Sequence, residues 1–192
     1  CALPICMVCK CINNMKQYIH IFLLVVFLFL CSFAAQSQSF SVNNIYYKVI
    51  STSPTYKVKV TRNPSHYTGV VSIPESVIHG GHTYAVTSIG DSAFYMDTLL
   101  TRVFLPTTID TVGNRVFYVN HNSLNVYCFA LTPPITSQTF YDRPSSQTDR
   151  DTLHIQCSSY NVYRNSDTTS GGSTNYWKRF RNILGIGDTV EY

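Results

Sequence analysis

The chain has 192 residues, of which 45% are hydrophobic and only 12% are charged. This balance excludes an intrinsically disordered protein, because the chain has enough apolar surface for a core, and the length suits one globular domain. The formal net charge of +4 is too small to favour a nucleic acid partner.

The N-terminal part of the chain combines a basic start with an apolar run. Lys16 precedes an unbroken apolar stretch at 21–30, and small residues suited to peptidase cleavage follow. This order is typical of a signal peptide, which we place at residues 15–37, and it predicts a secreted or surface-displayed protein. The apolar run is shorter than the roughly 20 residues of a spanning helix, so we expect no stable membrane span after cleavage. A membrane anchor, or lipidation at Cys31, is the alternative.

Residues 1–14 contain four of the seven cysteines, three of them in a C-x2-C-x-C cluster. Such spacing suggests zinc, but no second ligand pair follows at zinc-site spacing. We therefore interpret residues 1–14 as an upstream extension. After signal cleavage Cys128 and Cys157 remain, and the sequence leaves open whether they form a disulfide or lie unpaired.

Alternating apolar residues open the mature chain. The segments "IYYKVIS" at 45–51 and "YKVKVT" at 56–61 flank a Ser-Pro turn and predict the two strands of a hairpin. We interpret residues 38–66 as an N-terminal β cap, since the first unit of a repeat array would otherwise expose its apolar edge.

Gly80 and Gly81 predict the turn of a second hairpin. His79 and His82 flank this turn, and two imidazoles so placed can share a metal ion. An exposed hairpin tip explains the same pattern without a metal, so we expect no metal site here.

A 23-residue spacing relates the segments that follow. Shifting residues 86–106 by 23 places Val86 on Ile109, Ile89 on Val112, Gly90 on Gly113, Phe94 on Phe117, Tyr95 on Tyr118, Val103 on Val126 and Leu105 on Cys128. A second shift places Val112 on Ile135, Phe117 on Phe140 and Tyr118 on Tyr141, with the next strand arriving late at Leu153 to Ile155. We predict a stack of similar coils over residues 67–157, because each unit is too thin to bury its own apolar face.

Each unit pairs a short strand with a turn. Val103 and Leu105 alternate inward, as do Val126 and Cys128, and "VVSIP" at 70–74 repeats the pattern upstream. The glycine after each Val-x-x-Ile is expected to adopt a positive φ. "DSAFY" and "NRVFY" are expected to form helical turns, capped by Asp91 or Asn114, with their apolar residues inward. These inward residues are Ala93, Phe94, Val116 and Phe117.

The last 35 residues, 158–192, depart from the repeat, and we interpret them as a C-terminal cap and tail. "SSYNVYRN" predicts a short helix, and Trp177, Phe180 and Ile183 follow at helical spacing. The basic cluster Lys178, Arg179 and Arg181 is interpreted as a solvated helix face, with a partner patch as the alternative.

The I-G-x-x-A-F core of "YAVTSIGDSAFYMDTLLTRVFLP" and the ending "YWKRFRNI" resemble the BspA-like leucine-rich repeat proteins, which are surface or secreted proteins of anaerobic host-associated bacteria. The resemblance covers about residues 44–184. It implies an α/β repeat solenoid: a right-handed superhelix of short parallel strands and short helical turns, with an N-terminal β-hairpin cap and a C-terminal helical cap. It also implies adhesion or binding to host or matrix proteins. The family's usual Cys or Gly after the helical turn is missing, and the array has only about three or four repeats.

The outward strand positions of such a solenoid form a candidate binding surface. Ser72, Phe104, Tyr127 and His154 occupy them and would line the sheet with aromatic and polar groups. We predict that this surface binds a host or matrix protein or a surface glycan. The alternatives are that the rings only cover the sheet, or that the repeats are a structural spacer of a larger exported protein.

The sequence contains none of the common hydrolase, metalloprotease, P-loop or dinucleotide motifs, so we expect neither an enzyme nor a bound cofactor. A thiol nucleophile with a histidine base, from His154 and Cys157 or from His121 and Cys128, is the enzymatic alternative. Asp149 and Asp151 flank Arg150 in a polar loop, without a spacing that predicts paired-acid catalysis.

Overall fold

The computed structural model describes residues 38–118, 123–136, 151–165 and 182–187, together with Tyr18, Phe22, Trp177 and Phe180. The chain divides into two compact units, Cys1–Ser37 and Gln38–Tyr192. Within the first unit, Tyr18 and Phe22 are helical and exposed, and the rest of the predicted signal peptide and upstream extension lies outside the described residues. No helix among the described residues combines the length and apolarity needed to cross a bilayer.

Short strands dominate the second unit. In chain order they are β1 (Ser39–Val42), β2 (Ile45–Ser51), β3 (Lys57–Thr61), β4 (Gly69–Ser72), β5 (Ser76–His79), β6 (His82–Ile89), β7 (Leu100–Leu105), β8 (Thr111–Val112), β9 (Asn125–Cys128), β10 (Ile135–Thr136), β11 (Thr152–Gln156) and β12 (Asn182–Ile186). A 3-10 turn at Cys157–Ser159 leads into the helix α1 (Tyr160–Asn165).

The strands form two sheets that run along a stack of coils. One sheet has the order β12-β11-β9-β7-β4, and all of its pairs are parallel. The other has the order β1-β2-β3-β6-β8-β10, with β5 paired to β6. Each coil contributes one strand to each sheet, which makes the unit a parallel β-solenoid of about four turns. The expected stack of short parallel strands is thus confirmed.

The predicted hairpins are both present. Strands β1, β2 and β3 pair antiparallel, and β3 then pairs parallel with β6, so the cap continues directly into the sheet of the solenoid. In the second hairpin His79 pairs with His82, and Gly80 and Gly81 adopt φ values of 57° and 78°. Only glycine adopts such angles without steric cost, so this turn follows from the sequence.

The core lies between the two sheets and the turns. The rings of Phe94 and Phe117 are fully buried and stack with their centroids 5.6 Å apart, and the tilted ring of Tyr67 packs against Phe94 at 5.1 Å. The four residues predicted to point inward from the turns are all buried. Each coil therefore buries its apolar side against its neighbour, as the repeat hypothesis requires.

Backbone hydrogen bonds join the turns of successive coils. The N–H groups of Ser92 and Phe94 donate to the carbonyls of Asn114 and Val116 at 2.8 and 3.1 Å. Segments 91–96 and 114–117 form hydrogen-bonded turns and not helix. The helical turns predicted for these two segments are therefore wrong. Bonding to the next coil satisfies the groups that a helix would pair internally.

Asp91 does not cap its own turn. Its Oδ1 accepts a hydrogen bond from the N–H of Asn114, 2.7 Å away in the next coil. The positive φ angles expected at Gly90 and Gly113 lie instead at Ser92 (55°) and Arg115 (50°), which is also a correction.

The two glycines are required for a different reason, namely close stacking. A Cβ on Gly90 would lie 2.9 Å from the carbonyl oxygen of Val60, and one on Gly113 would lie 2.7 Å from the backbone nitrogen of Asp91. Both positions face the backbone of the preceding coil, so the coils can approach only where the side chain is absent.

The second 23-residue shift is wrong by one residue at β10. Val112 pairs with Thr136, and Thr111 pairs with Ile135. Thr136 is buried and Ile135 is 64% exposed, so the threonine takes the inward place. The equivalences of Phe140 and Tyr141 lie outside the described residues.

The C-terminal cap is helical only in part. Helix α1 forms as predicted, with Tyr163 buried, and Trp177 and Phe180 are buried as well. The predicted helix through Ile183 is wrong, because Asn182–Ile186 forms the parallel strand β12 against β11. Pairing there satisfies the backbone groups that β11 would leave unpaired at the edge of the sheet. The basic cluster of residues 178, 179 and 181 lies outside the described residues.

Candidate binding face

The four predicted surface residues lie side by side. Ser72 pairs with Phe104, Phe104 with Tyr127, and Tyr127 with His154, across four parallel strands. Each side chain points away from the core, since its neighbours in the strand are buried. We call this row, Ser72, Phe104, Tyr127 and His154, the outer ladder.

The rings of the outer ladder stack face to face. The ring centroids of Phe104 and Tyr127 are 4.5 Å apart, and those of Tyr127 and His154 are 4.2 Å apart, with interplanar angles of 20° and 6°. The rings are half-buried, so each shows part of its edge to solvent. Stacking holds these side chains in one orientation, which lowers the entropy lost when a partner binds.

The surroundings of His154 favour the uncharged form of its imidazole. Burial lowers the pKa of its imidazole, and the nearby guanidinium of Arg102 lowers that pKa further. The Nε2 atom donates a hydrogen bond to Oδ1 of Asn125 at 3.0 Å. The outer ladder is an aromatic strip, formed by the stacked rings of Phe104, Tyr127 and His154.

The sequence-based prediction missed two features of this face. One is Leu184, which extends the outer ladder at its β12 end, and the other is a second row of outward residues beside the ladder. Leu184 in β12 pairs with His154 and is 51% exposed. A second outward row runs beside the ladder and consists of Val70, Arg102, Asn125, Thr152 and Asn182. The segment "NILGI" has no regular alternation of polar and apolar residues, and the helical spacing of the neighbouring aromatic residues favoured a helix, so the sequence held little signal for Leu184.

A pocket of about 220 Å³ opens at the β4 end of the outer ladder. It is lined by Ser72, Ile73, Pro74, Glu75, Phe104, Pro106, Thr107 and Phe129. The hydroxyl of Thr107 donates to Oε1 of Glu75 at 2.5 Å, which orients the carboxylate at the pocket rim. Its volume is below the roughly 300 Å³ at which sites for drug-sized ligands begin.

No family model matches the chain, and no curated protein matches it. Three solved structures are similar to parts of it. The first is a leucine-rich cell surface protein from Faecalibacterium prausnitzii, with 24% identity and a TM-score of 0.44 over 64% of this chain and 34% of that one. The second is a leucine-rich repeat protein from Bacteroides capillosus, with 23% identity and a TM-score of 0.42 over 62% of this chain and 83% of that one. The third is the pneumococcal vaccine antigen PcpA, with 15% identity and a TM-score of 0.31 over 62% and 29%. The chain thus spans about a third of the Faecalibacterium protein's length.

The two cysteines of the solenoid are both free thiols, which settles the question that the sequence left open. Cys128 is fully buried at an inward strand position, and its Sγ lies 3.1 Å from the hydroxyl of Tyr163. That hydroxyl donates to the carbonyl of Ala130 at 2.9 Å, which leaves its oxygen to accept from the thiol. Burial raises the pKa of the Cys128 thiol to about 11, so it stays protonated at neutral pH.

Alkylation of the native chain at pH 8 is expected to label Cys157 and spare Cys128. Cys157 is exposed, whereas Cys128 is buried and its pKa is raised. Because the thiolate is the reactive form, Cys128 reacts only after unfolding. Mass spectrometry of proteolytic peptides assigns the label to each cysteine, with guanidinium-unfolded protein as the control. Equal labelling of both peptides in native protein would contradict this burial.

The remaining candidate residues have structural contacts. The rings of His79 and His82 stack on Phe40 and Tyr56 at 3.9 and 4.3 Å. Asp151 is buried, and its Oδ1 accepts from the N–H of Leu124 at 2.8 Å. Within the described ranges, no three His, Cys, Asp or Glu side chains are grouped to hold a metal ion. His121 and Asp149 lie outside those ranges.

A histidine–carboxylate hydrogen bond that the sequence did not predict lies beside the first turn. Nδ1 of His66 is 2.8 Å from Oδ1 of the buried Asp97. Burial raises the pKa of the Asp97 carboxyl, and the hydrogen bond from His66 and the charge of Arg62 oppose that rise. The pair joins the loop after the cap to the first turn of the solenoid.

Proposed function

We propose that this protein is an exported repeat module that binds another macromolecule without catalysis, and that the outer ladder is its contact surface. The partner is a host or matrix protein or a surface glycan. One observation carries the proposal: three ordered rings lie in a continuous, partly exposed row on one face of the parallel sheet. Aromatic groups supply much of the binding energy at protein surfaces, because they bury large areas and lose little side-chain entropy.

The architecture supports a binding role in a second way. The outward residues belong to strands whose inward neighbours, such as Val103, Val126 and Leu153, are fully buried in the core. The core therefore fixes the spacing of the surface side chains, and the rings do not have to be ordered by the partner. A rigid scaffold that presents fixed side chains is suited to recognition.

Replacing Phe104 and Tyr127 together with serine is expected to remove adhesion while preserving the fold. One aromatic hot spot contributes about 2 kcal/mol or more and such contributions are not additive, so we expect binding of the double variant to fall by at least the roughly thirtyfold of a single hot spot. The measurement is retention of the full chain on decellularised matrix and on cultured epithelial monolayers, with circular dichroism as the check on folding. Ile78→Ser is the matched control, because Ile78 is 71% exposed in β5 and lies outside the ladder.

Two results would count against the proposal. Unchanged retention of the double variant would reject the outer ladder as the contact surface. Absence of retention by the unmodified chain on both surfaces would favour the alternative that the repeats act as a structural spacer.

A further inference from the structure

At its β4 end the outer ladder has a serine, Ser72, whereas β7, β9 and β11 each contribute a ring. Tyr127 covers one face of Phe104, at a centroid separation of 4.5 Å. The strand order β4-β7-β9 puts Ser72 on the opposite side of Phe104. Serine is too small to stack on a ring, so this face of Phe104 is left without an aromatic neighbour from β4. Tyr127, by contrast, has a stacked ring on each side, from Phe104 and from His154.

The 220 Å³ pocket lies at this position, since both Ser72 and Phe104 line it. Phe129 forms another part of the lining, with its ring centroid 6.4 Å from that of Phe104 and nearly parallel to it. Two prolines, Pro74 and Pro106, add rigid apolar surface. We call this pocket the slot, and its volume of about 220 Å³ suits one side chain better than an oligosaccharide or a cofactor.

A carboxylate lies at the rim of this slot. Glu75 is exposed, and Thr107 donates a hydrogen bond to its Oε1 at 2.5 Å. An ionised carboxylate has about four acceptor positions, so it can accept further hydrogen bonds from a ligand. None of the residues that line the slot carries a positive charge.

We propose that this slot binds an arginine side chain of a polypeptide partner, with its guanidinium stacked on Phe104 and paired with Glu75. A guanidinium is planar and cationic, so it fits both the aromatic face and the carboxylate. A lysine ammonium matches the charge but not the flat wall, and a neutral ring matches the wall but not the charge. This inference rests on the proposed function, because it names the partner chemistry for one end of the same ladder.

The test uses the full chain and two small probes, N-acetyl-arginine methylamide and N-acetyl-lysine methylamide. Each is titrated while the backbone amide signals of Ser72 and Phe104 are followed by nuclear magnetic resonance. We expect saturable shifts with the arginine probe and binding at least about fivefold weaker with the lysine probe, because stacking on the ring is lost. Equal binding of the two probes would overturn the inference, as would tighter binding of N-acetyl-tyrosine methylamide.

Two variants test the slot itself. Ser72→Phe supplies the missing ring from within the chain and is expected to abolish the shifts caused by the arginine probe. Glu75→Gln keeps the shape and the hydrogen bond from Thr107, and it is expected to weaken binding by about fivefold, as for an exposed ion pair at the upper end of its range. Ile78→Phe adds a ring at an exposed position of β5 and should leave probe binding unchanged. Unaltered binding in either slot variant would overturn the inference.

The retention assay separates failure of this inference from failure of the proposed function. If Phe104→Ser with Tyr127→Ser removes retention while Ser72→Phe and Glu75→Gln retain it fully, the outer ladder is a contact surface and the arginine slot is wrong. If the arginine probe binds the slot but the unmodified chain is not retained on either surface, the proposed function is wrong and arginine binding by the slot is still supported.

Discussion

Phe94→Ala is expected to destabilise the solenoid by about 3–5 kcal/mol, because truncating a fully buried aromatic side chain leaves a cavity that the surroundings fill only in part. The ring of Phe94 is 0% exposed, stacks on Phe117 and packs against the tilted ring of Tyr67. Loss of this ring removes contacts to the coil after it and to the segment that follows the cap. Urea unfolding followed by circular dichroism measures the change in the free energy of unfolding.

Leu99→Ala is the matched control for Phe94→Ala. Leu99 follows the same turn but is 63% exposed, so its truncation should change the free energy of unfolding by no more than about 0.5 kcal/mol. Equal losses of stability in the two variants would show that Phe94 is not part of a shared core.

Gly113→Ala is expected to destabilise the fold by about 1–3 kcal/mol or more, although it adds a single methyl group. That methyl group would collide with the side chain of Asp91 and lie 2.7 Å from its backbone nitrogen and 3.0 Å from the carbonyl carbon of Gly90. Backbone atoms cannot rotate away as a flexible side chain can, so adjacent coils have to separate. The measurement is again the free energy of unfolding in urea.

Gly187→Ala tests whether the cost comes from this collision. Gly187 has open space around its Cβ position among the described residues, and its φ is not in the left-handed region. Adding a methyl group there should therefore leave stability unchanged or raise it slightly, because alanine has a less flexible unfolded state. A loss at Gly187 as large as the loss at Gly113 would contradict the stacking explanation.

The parallel sheet could be predicted because it follows from a pattern repeated in the sequence. The match of Val103 and Leu105 to Val126 and Cys128 predicted both the neighbouring strands and their register, and the structure confirms both. Register is strongly specified here, since a slip by one residue would turn the apolar side chains towards solvent.

The errors in the fold arise where the reason for a residue lies in a neighbouring coil or in the length of its own coil. Gly113 is a glycine because the preceding coil approaches closely, a contact that no local pattern reveals. Thr136 replaces Ile135 inside because this coil is one residue longer than the 23-residue template. The strand β12 forms because β11 offers a sheet edge, which outweighed the helical spacing of Trp177 and Phe180.

Only part of the candidate binding face could be predicted from the sequence. Alternation along each strand was sufficient to predict that the outer ladder forms, and its role in binding stays a prediction. The slot beside Phe104 was not predictable, because it depends on a serine, two prolines and Phe129 meeting in space. A sequence identifies which side chains leave the core, but a gap between them is visible only in three dimensions.

The hydrogen bonds that link one turn to the next have a consequence for how this molecule tolerates change. Ser92, Phe94 and Met96 each donate to the residue 22 positions further along the chain. Adding or deleting one residue within a coil would misalign all three N–H donors with their carbonyl acceptors. A whole added coil could instead form the same hydrogen bonds with the coil before it and the coil after it. Natural variation in the length of such a protein should therefore come in complete turns.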